Sequence, residues 1–213
     1  THYGMEESPF YQATLQTLVL NRKLVPANEK VSMTLFRQHR ELTSVTIGDE
    51  VESIDGYMFS ETGITSLSLP ASITSIKESA FADCNELATV DVKGKVSLED
   101  GAFSACGKLE TVNIRGGVTC IGIAAFQSCT SLRSFSVDNA QSTGEIGRSA
   151  FLGCEALTAI TIPGGITSIG DKAFKDCTSL SSVSFLAGPQ PLAMGYIPGM
   201  IAQYTSDHGP FYF

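Results

Sequence analysis

The side chains best suited to chemistry in this sequence are six cysteines, three histidines and a run of acids, and their spacing limits what each can do. Cys84, Cys106, Cys129, Cys154 and Cys177 recur at intervals of 22, 23, 25 and 23 residues, whereas Cys120 stands outside that series. Six thiols invite a disulfide framework. If the five recur because successive coils stack, however, their side chains lie about 4.8 Å apart, and a disulfide needs Cβ atoms about 3.8 Å apart. The series therefore reads as a buried ladder of small thiols. There is no C-x2-C pair and no histidine near two of the cysteines, so a zinc site has no ligand set. Cys120 sits where other coils carry Ser75 or Ser168, and reads either as an exposed, reactive thiol or as an inert, partly buried one.

Of the histidines, His2 and His39 lie toward the start and His208 near the end, so a histidine-dependent triad on the body of the chain would have to use His39. His39 occupies the cysteine phase within Phe36-Arg37-Gln38-His39-Arg40-Glu41, which favours a substitution in an end coil over a base. Gly116-Gly117 and Gly164-Gly165 lack G-x-G-x-x-G and any Gly-Lys-Ser/Thr, and read as turns. Asp49, Glu50, Glu52, Asp55 and Glu61 carry carboxylates that suit calcium, but without an ordered ligand spacing they read as a solvated acidic edge. The sequence thus offers no catalytic residues, no metal ligands and no cofactor site.

Composition narrows the partners further. The 213 residues are 43% hydrophobic and 17% charged, enough for a sizeable core. Fourteen Lys+Arg against 22 Asp+Glu give a net charge of −8, which excludes a nucleic-acid partner held by phosphate contacts. No window approaches 18 apolar residues and no basic, apolar leader is visible, so the chain reads as having no membrane span.

The elements that must position these groups follow from a second period. Phe36, Phe59, Phe81, Phe103, Phe126, Phe151 and Phe174 are 23, 22, 22, 23, 25 and 23 residues apart. After each comes an apolar-x-x-apolar-x-apolar segment: LTSVTI, ITSLSL, LATVDV, LETVNI, LRSFSV, LTAITI and LSSVSF, with LQTLVL from Leu15 preceding them. The alternation marks strands with one buried face, and a strand every 22 to 25 residues buries that face only by stacking on its neighbours in a parallel sheet. The Ala-Phe side of each coil leaves room for about one helical turn. Pro70, Gly94, Gly116-Gly117 and Pro163-Gly164-Gly165 write the turns.

Ile160 to Leu180, ITIPGGITSIGDKAFKDCTSL, resembles the leucine-rich repeat of the BspA-like, or Treponema pallidum-type, family, and Leu67 to Leu87 matches nearly as well. The resemblance covers roughly residues 30 to 186. Thr62 and His39 depart from it by standing where the family has Cys, and the coil from Leu87 to Lys108 has lost a residue around Gly94. It implies a right-handed α/β leucine-rich-repeat solenoid, mostly β, with a parallel sheet on one face and short helical turns on the other. It also implies a secreted or cell-surface protein, in a family with members implicated in adhesion.

The strand residues facing away from the core form two columns. One is Ser44, Ser66, Thr89, Thr111, Ser134, Ala159 and Ser182; the other is Thr46, Ser68, Asp91, Asn113, Ser136, Thr161 and Ser184. Distinctive side chains occur only near the centre, where Asp91, Glu110, Asn113 and Arg133, with Thr111, Ser134 and Ser136, form the candidate binding face. The expected function is a non-catalytic, secreted or cell-surface adhesion scaffold with a protein or glycan ligand. The alternatives are a passive spacer in a longer repeat protein and, more remotely, an enzyme or an ice-binding surface. Residues 15–186 are the expected solenoid. Residues 1–14, with Tyr3, Phe10 and Tyr11, read as an N-terminal cap, and 187–213, rich in aromatics, as a C-terminal cap or docking tail.

Overall fold

The structure is a computed structural model that describes residues 8–10, 12–24, 34–138, 142–189 and 191–194. From the second strand onward, two families of strands alternate along the chain. The first contains β1 (Thr17–Leu20), β2 (Ser44–Ile47), β4 (Ser66–Leu69), β6 (Thr89–Val92), β8 (Thr111–Ile114), β10 (Ser134–Val137), β12 (Ala159–Ile162) and β14 (Ser182–Phe185). The second contains β3 (Ser53–Ile54), β5 (Ser75–Ile76), β7 (Val96–Leu98), β9 (Val118–Ile121), β11 (Gly144–Ile146), β13 (Ile166–Ile169) and β15 (Ala193–Met194). Every pairing is parallel and joins a strand to its counterpart in an adjacent coil, so Val90 lies beside Val112 and Ile160 beside Val183.

The first family alternates exposed and buried residues as its sequence requires: Leu67, Val90 and Val112 point inward and are buried. Its eight strands are hydrogen-bonded in three blocks, β1–β2, β4–β6–β8–β10 and β12–β14, and not in the single sheet expected from the spacing. The second break falls in the 25-residue coil, where Phe135 takes an inward position held by Val or Ile in neighbouring coils and packs edge-on against Phe126 and Phe151 at 5.3 and 5.0 Å. The second family forms one continuous seven-stranded sheet on the other side of the core.

The short helical turns are absent. Among the described residues there is no helix, and the fold is all-β, with a second parallel sheet where helical turns were expected. The backbone explains why. In each coil from that of Phe59 onward two residues adopt left-handed conformations, one two positions before and one two positions after the phenylalanine, such as Tyr57 and Glu61, Ser79 and Asp83, and Lys172 and Asp176, each with φ between 52° and 61°. A left-handed residue cannot propagate a right-handed helix, and it costs a non-glycine residue about 1–2 kcal/mol. Alternate amides, in turn, point at the next coil, while those between them, such as Ala80 and Ala82, donate to the carbonyls of Lys77 and Ser79 in their own. Ser79, Phe81 and Asp83 donate to the carbonyls of Asp100, Ala102 and Ser104 at 2.9, 2.9 and 2.8 Å. Three bonds of about 1 kcal/mol each offset the two strained residues.

The core is a set of ribs running along the stack. The seven phenylalanine rings lie in single file with centroids 5.3 to 5.5 Å apart and interplanar angles of 4° to 12°. Phe10, from the N-terminal segment, continues that file against Phe36 at 5.5 Å. Backbones approach closely where Gly147 follows β11: a Cβ there would lie 2.6 Å from the Gly122 carbonyl carbon, so only glycine fits.

Candidate functional site

The five in-phase thiols are buried and free, as a ladder requires. Each Sγ donates to the phenylalanine carbonyl of the preceding coil: Cys84 to Phe59, Cys106 to Phe81, Cys129 to Phe103, Cys154 to Phe126 and Cys177 to Phe151, at 3.1 to 3.2 Å. Thr62 replaces this role within its own coil, donating Oγ1 to Phe59 O at 2.8 Å. His39 does the same across coils, with Nε2 2.9 Å from Phe10 O and Nδ1 3.2 Å from Arg37 O. Both ring nitrogens of His39 lie beside backbone carbonyls, and the neutral ring, with one N–H, donates to one of them, which holds it between Phe10 and Arg37. Both departures from the cysteine phase are substitutions that keep a polar contact to a phenylalanine carbonyl.

Burial pushes the Cys106 thiol well up, and the Cys129 thiol up to about 12, so neither supplies a thiolate. Cys120 lies half-buried on the outer side of β9, beside Ser97 of β7. Burial, and then the charges of Glu145, Asp100 and Glu99, raise its thiol too. Of its two readings, the inert thiol fits this setting. In the acidic run, Asp55 is paired with Lys77 Nζ at 2.5 Å, and Glu61 with Arg37 at 2.9 Å. Burial alone would raise the Glu61 carboxyl, but hydrogen bonds from Gln38 and Arg37 outweigh it and hold it below the ordinary carboxylate value.

The seven residues of the candidate face come together on β6, β8 and β10. Asp91 pairs in register with Asn113, Asn113 with Ser136, and Thr111 with Ser134. Glu110 and Arg133 precede these strands on neighbouring coils, joined by the bond from Arg133 N to Glu110 O at 3.0 Å. Ser134, Ser136, Glu110 and Arg133 are exposed; Asp91, Thr111 and Asn113 are partly covered by their neighbours.

The strands extend this face by one position that sequence reading passed over. The residue after the strand extends the outward face in some coils: Lys93, Arg115, Asp138 and Leu186 are exposed there, whereas Pro70 and Pro163 at the same position are buried. The ladder continues into this position, with Lys93 N to Leu69 O, Arg115 N to Val92 O and Asp138 N to Ile114 O at 2.8 to 3.1 Å. Arg115 Nε donates to Asp91 Oδ1 at 2.9 Å, bridging two coils. Asn113, Arg115, Ser136 and Asp138 line an open hollow of about 470 Å³ at the ends of β8 and β10. The signal was the 24-residue offset between Asp91 and Arg115, one coil plus the step to the next outward position.

Comparison with known proteins agrees with this architecture. The family model described as a BspA-type leucine-rich-repeat region matches in six copies, over residues 5–133 and 96–192. A leucine-rich-repeat protein from Bacteroides ovatus superposes with a TM-score of 0.62 at 24% identity, covering 81% of this chain and 44% of that one. One from Eubacterium ventriosum gives 0.58 at 22%, covering 78% and 44%, and the Treponema pallidum leucine-rich-repeat protein gives 0.56 at 21%, covering 82% and 71%. At these identities the likeness is one of fold. This chain spans less than half the length of the Bacteroides and Eubacterium proteins. No curated protein sequence matches it.

Proposed function

The chain belongs to the BspA-type leucine-rich-repeat family, and from that premise we propose that it is a non-catalytic binding scaffold, secreted or held at a cell surface, that contacts a protein or glycan through β6, β8 and β10. One observation carries the reading. From Thr43 to Leu186, the outward columns of the first strand family, with the residues just before and after each strand, hold six charged side chains, all in three consecutive coils: Asp91, Lys93, Glu110, Arg115, Arg133 and Asp138. A passive face has no reason to gather its charges in one place.

The non-catalytic reading is supported by the setting of the chemical groups: the His39 ring lies against the carbonyls of Phe10 and Arg37, and the in-phase thiols are buried. The terminal segments are proposed to close the core. Phe10, stacked on Phe36, is consistent with the N-terminal cap; the C-terminal part of that reading, from residue 195 onward, lies outside the described residues. A passive spacer is the second reading, favoured by the length of the Bacteroides and Eubacterium proteins, of which this chain spans 44%.

The test is retention of the purified protein on extracellular-matrix extract or on the surfaces of neighbouring microbes. Asp91→Ala with Arg133→Ala is expected to lower retention several-fold without altering thermal stability. No retention of the unaltered protein, or equal retention of the variant, would leave the spacer reading.

A further inference from the structure

We propose that the hollow beside Asn113 and Arg115 takes a neutral, polyhydroxylated ligand, a glycan without charged groups. The inference rests on the binding reading above and names its ligand class.

Three features of the patch point this way. The first is balance: its three acids, Asp91, Glu110 and Asp138, meet three bases, Lys93, Arg115 and Arg133. In a chain of net charge −8 this is a locally neutral island. A polyanion would meet Asp91 and Asp138, and a polycation would meet Arg115, so neither gains from electrostatic complementarity.

The second feature is how donors and acceptors are held. The Arg115–Asp91 ion pair fixes both groups through Nε and Oδ1 alone. Arg115, with 69% of its side chain exposed, keeps its terminal N–H donors facing solvent, and Asp91 keeps a second carboxylate oxygen. Asn113, one strand position from both, carries a donor and an acceptor on one amide, and Ser136 carries both on one oxygen. Vicinal sugar hydroxyls each donate and accept, and they match this mixed array.

The third feature is what the patch lacks. The described exposed large hydrophobics, among them Val19, Tyr57, Ile123 and Phe185, all lie elsewhere. A protein partner usually seats an aromatic or aliphatic anchor in a desolvated pocket, whereas this hollow is open, and four of its six lining residues, Asn113, Arg115, Ser136 and Asp138, carry hydrogen-bonding side chains, with Ile114 and Val137 completing it.

Affinity gel electrophoresis in dextran, yeast mannan and laminarin, with heparin and polylysine as charged probes, tests the proposal. At least one neutral polysaccharide is expected to retard the protein. Arg115→Ala and Asn113→Ala are each expected to weaken that retardation roughly tenfold, the effect of losing one or two hydrogen bonds. Arg148→Ala, an exposed change away from the hollow, is expected to leave it unchanged. Retardation by none of the three neutral polymers, retardation by heparin or polylysine alone, or equal retardation of the Arg115 and Asn113 variants would overturn it. A protein that binds a surface protein through Asp91 and Arg133 yet ignores all three neutral polymers would overturn this inference and leave the broader binding reading standing.

Discussion

Cys129 Sγ lies 3.2 Å from the carbonyl oxygen of Phe103 in the preceding coil and donates its hydrogen to it. That oxygen also accepts the Cys106 backbone amide at 3.4 Å, so both of its lone pairs are used in a place where water does not reach. The thiols are thus hydrogen-bonding members of the stack as well as small fillers of its core.

A pair of near-isosteric substitutions separates the two roles. Threonine and valine differ by a hydroxyl in place of a methyl, and Thr62 shows that a hydroxyl at this phase finds a phenylalanine carbonyl. Cys129→Thr is expected to be more stable than Cys129→Val by about 1 kcal/mol, the net worth of one intramolecular hydrogen bond. Urea denaturation of the two variants measures the difference. Equal stabilities, or a more stable valine variant, would reduce the thiols to packing alone.

Alkaline titration gives a second check. Burial moves the Cys129 thiol from an ordinary value near 9 up to about 12. Between those limits the unfolded chain loses the proton while the folded one keeps it, so stability falls with rising pH, at up to about 1.4 kcal/mol per pH unit from this group. Stability is expected to be insensitive to this thiol below pH 8. Cys129→Ala is expected to flatten the decline between pH 9 and 12 relative to the unaltered protein. Parallel pH profiles for the two proteins would show that the thiol does not titrate as its burial requires.

What the sequence made legible was whatever repeats as a side-chain type. Phe36 to Phe174 and Cys84 to Cys177 each recur in phase, and each becomes a rib of like groups. The left-handed residues were hidden because their column holds Tyr57, Ser79, Ala124, Ser149 and Lys172, which share a backbone angle and no chemistry. Without them, the Ala-Phe segment had room for a helical turn. The second sheet was hidden for a related reason. Its strands are two to four residues long, too short for alternation to show. On the candidate face, the central charges stood out against the hydroxyls, whereas Arg115 became part of the picture only when its contact with Asp91 was seen.

The backbone geometry predicts opposite outcomes for two small substitutions. Gly147→Ala places a methyl 2.6 Å from the Gly122 carbonyl carbon, a contact that only a shift of whole coils relieves. A loss of about 3 kcal/mol or more is expected, in the range of severe overpacking. Lys172→Gly removes the penalty of a left-handed lysine, φ 57°, at the cost of a freer unfolded chain. It is expected to be neutral or to stabilise by up to about 1 kcal/mol. Thermal melts of the two variants give the comparison, and a well-tolerated alanine at 147 would contradict the close approach of the coils.

The N-terminal end supplies the last test, because there the stack of rings meets the segment that covers it. Phe10 presents one face to Phe36 at 5.5 Å, and its own carbonyl is engaged by His39 Nε2 at 2.9 Å. Its ring stays 37% exposed, so Phe10→Ala forfeits only part of a phenylalanine's burial, about 1–2 kcal/mol. In a solenoid that loss is felt by nearest neighbours, since each coil contacts only the next. Hydrogen exchange is therefore expected to accelerate in residues 12–20 and 34–42 and to stay unchanged around Phe126 and Phe151. Uniform acceleration along the chain would mean that the coils unfold as one unit. No change at either end would mean that the Phe10 ring contributes nothing to the stack it extends.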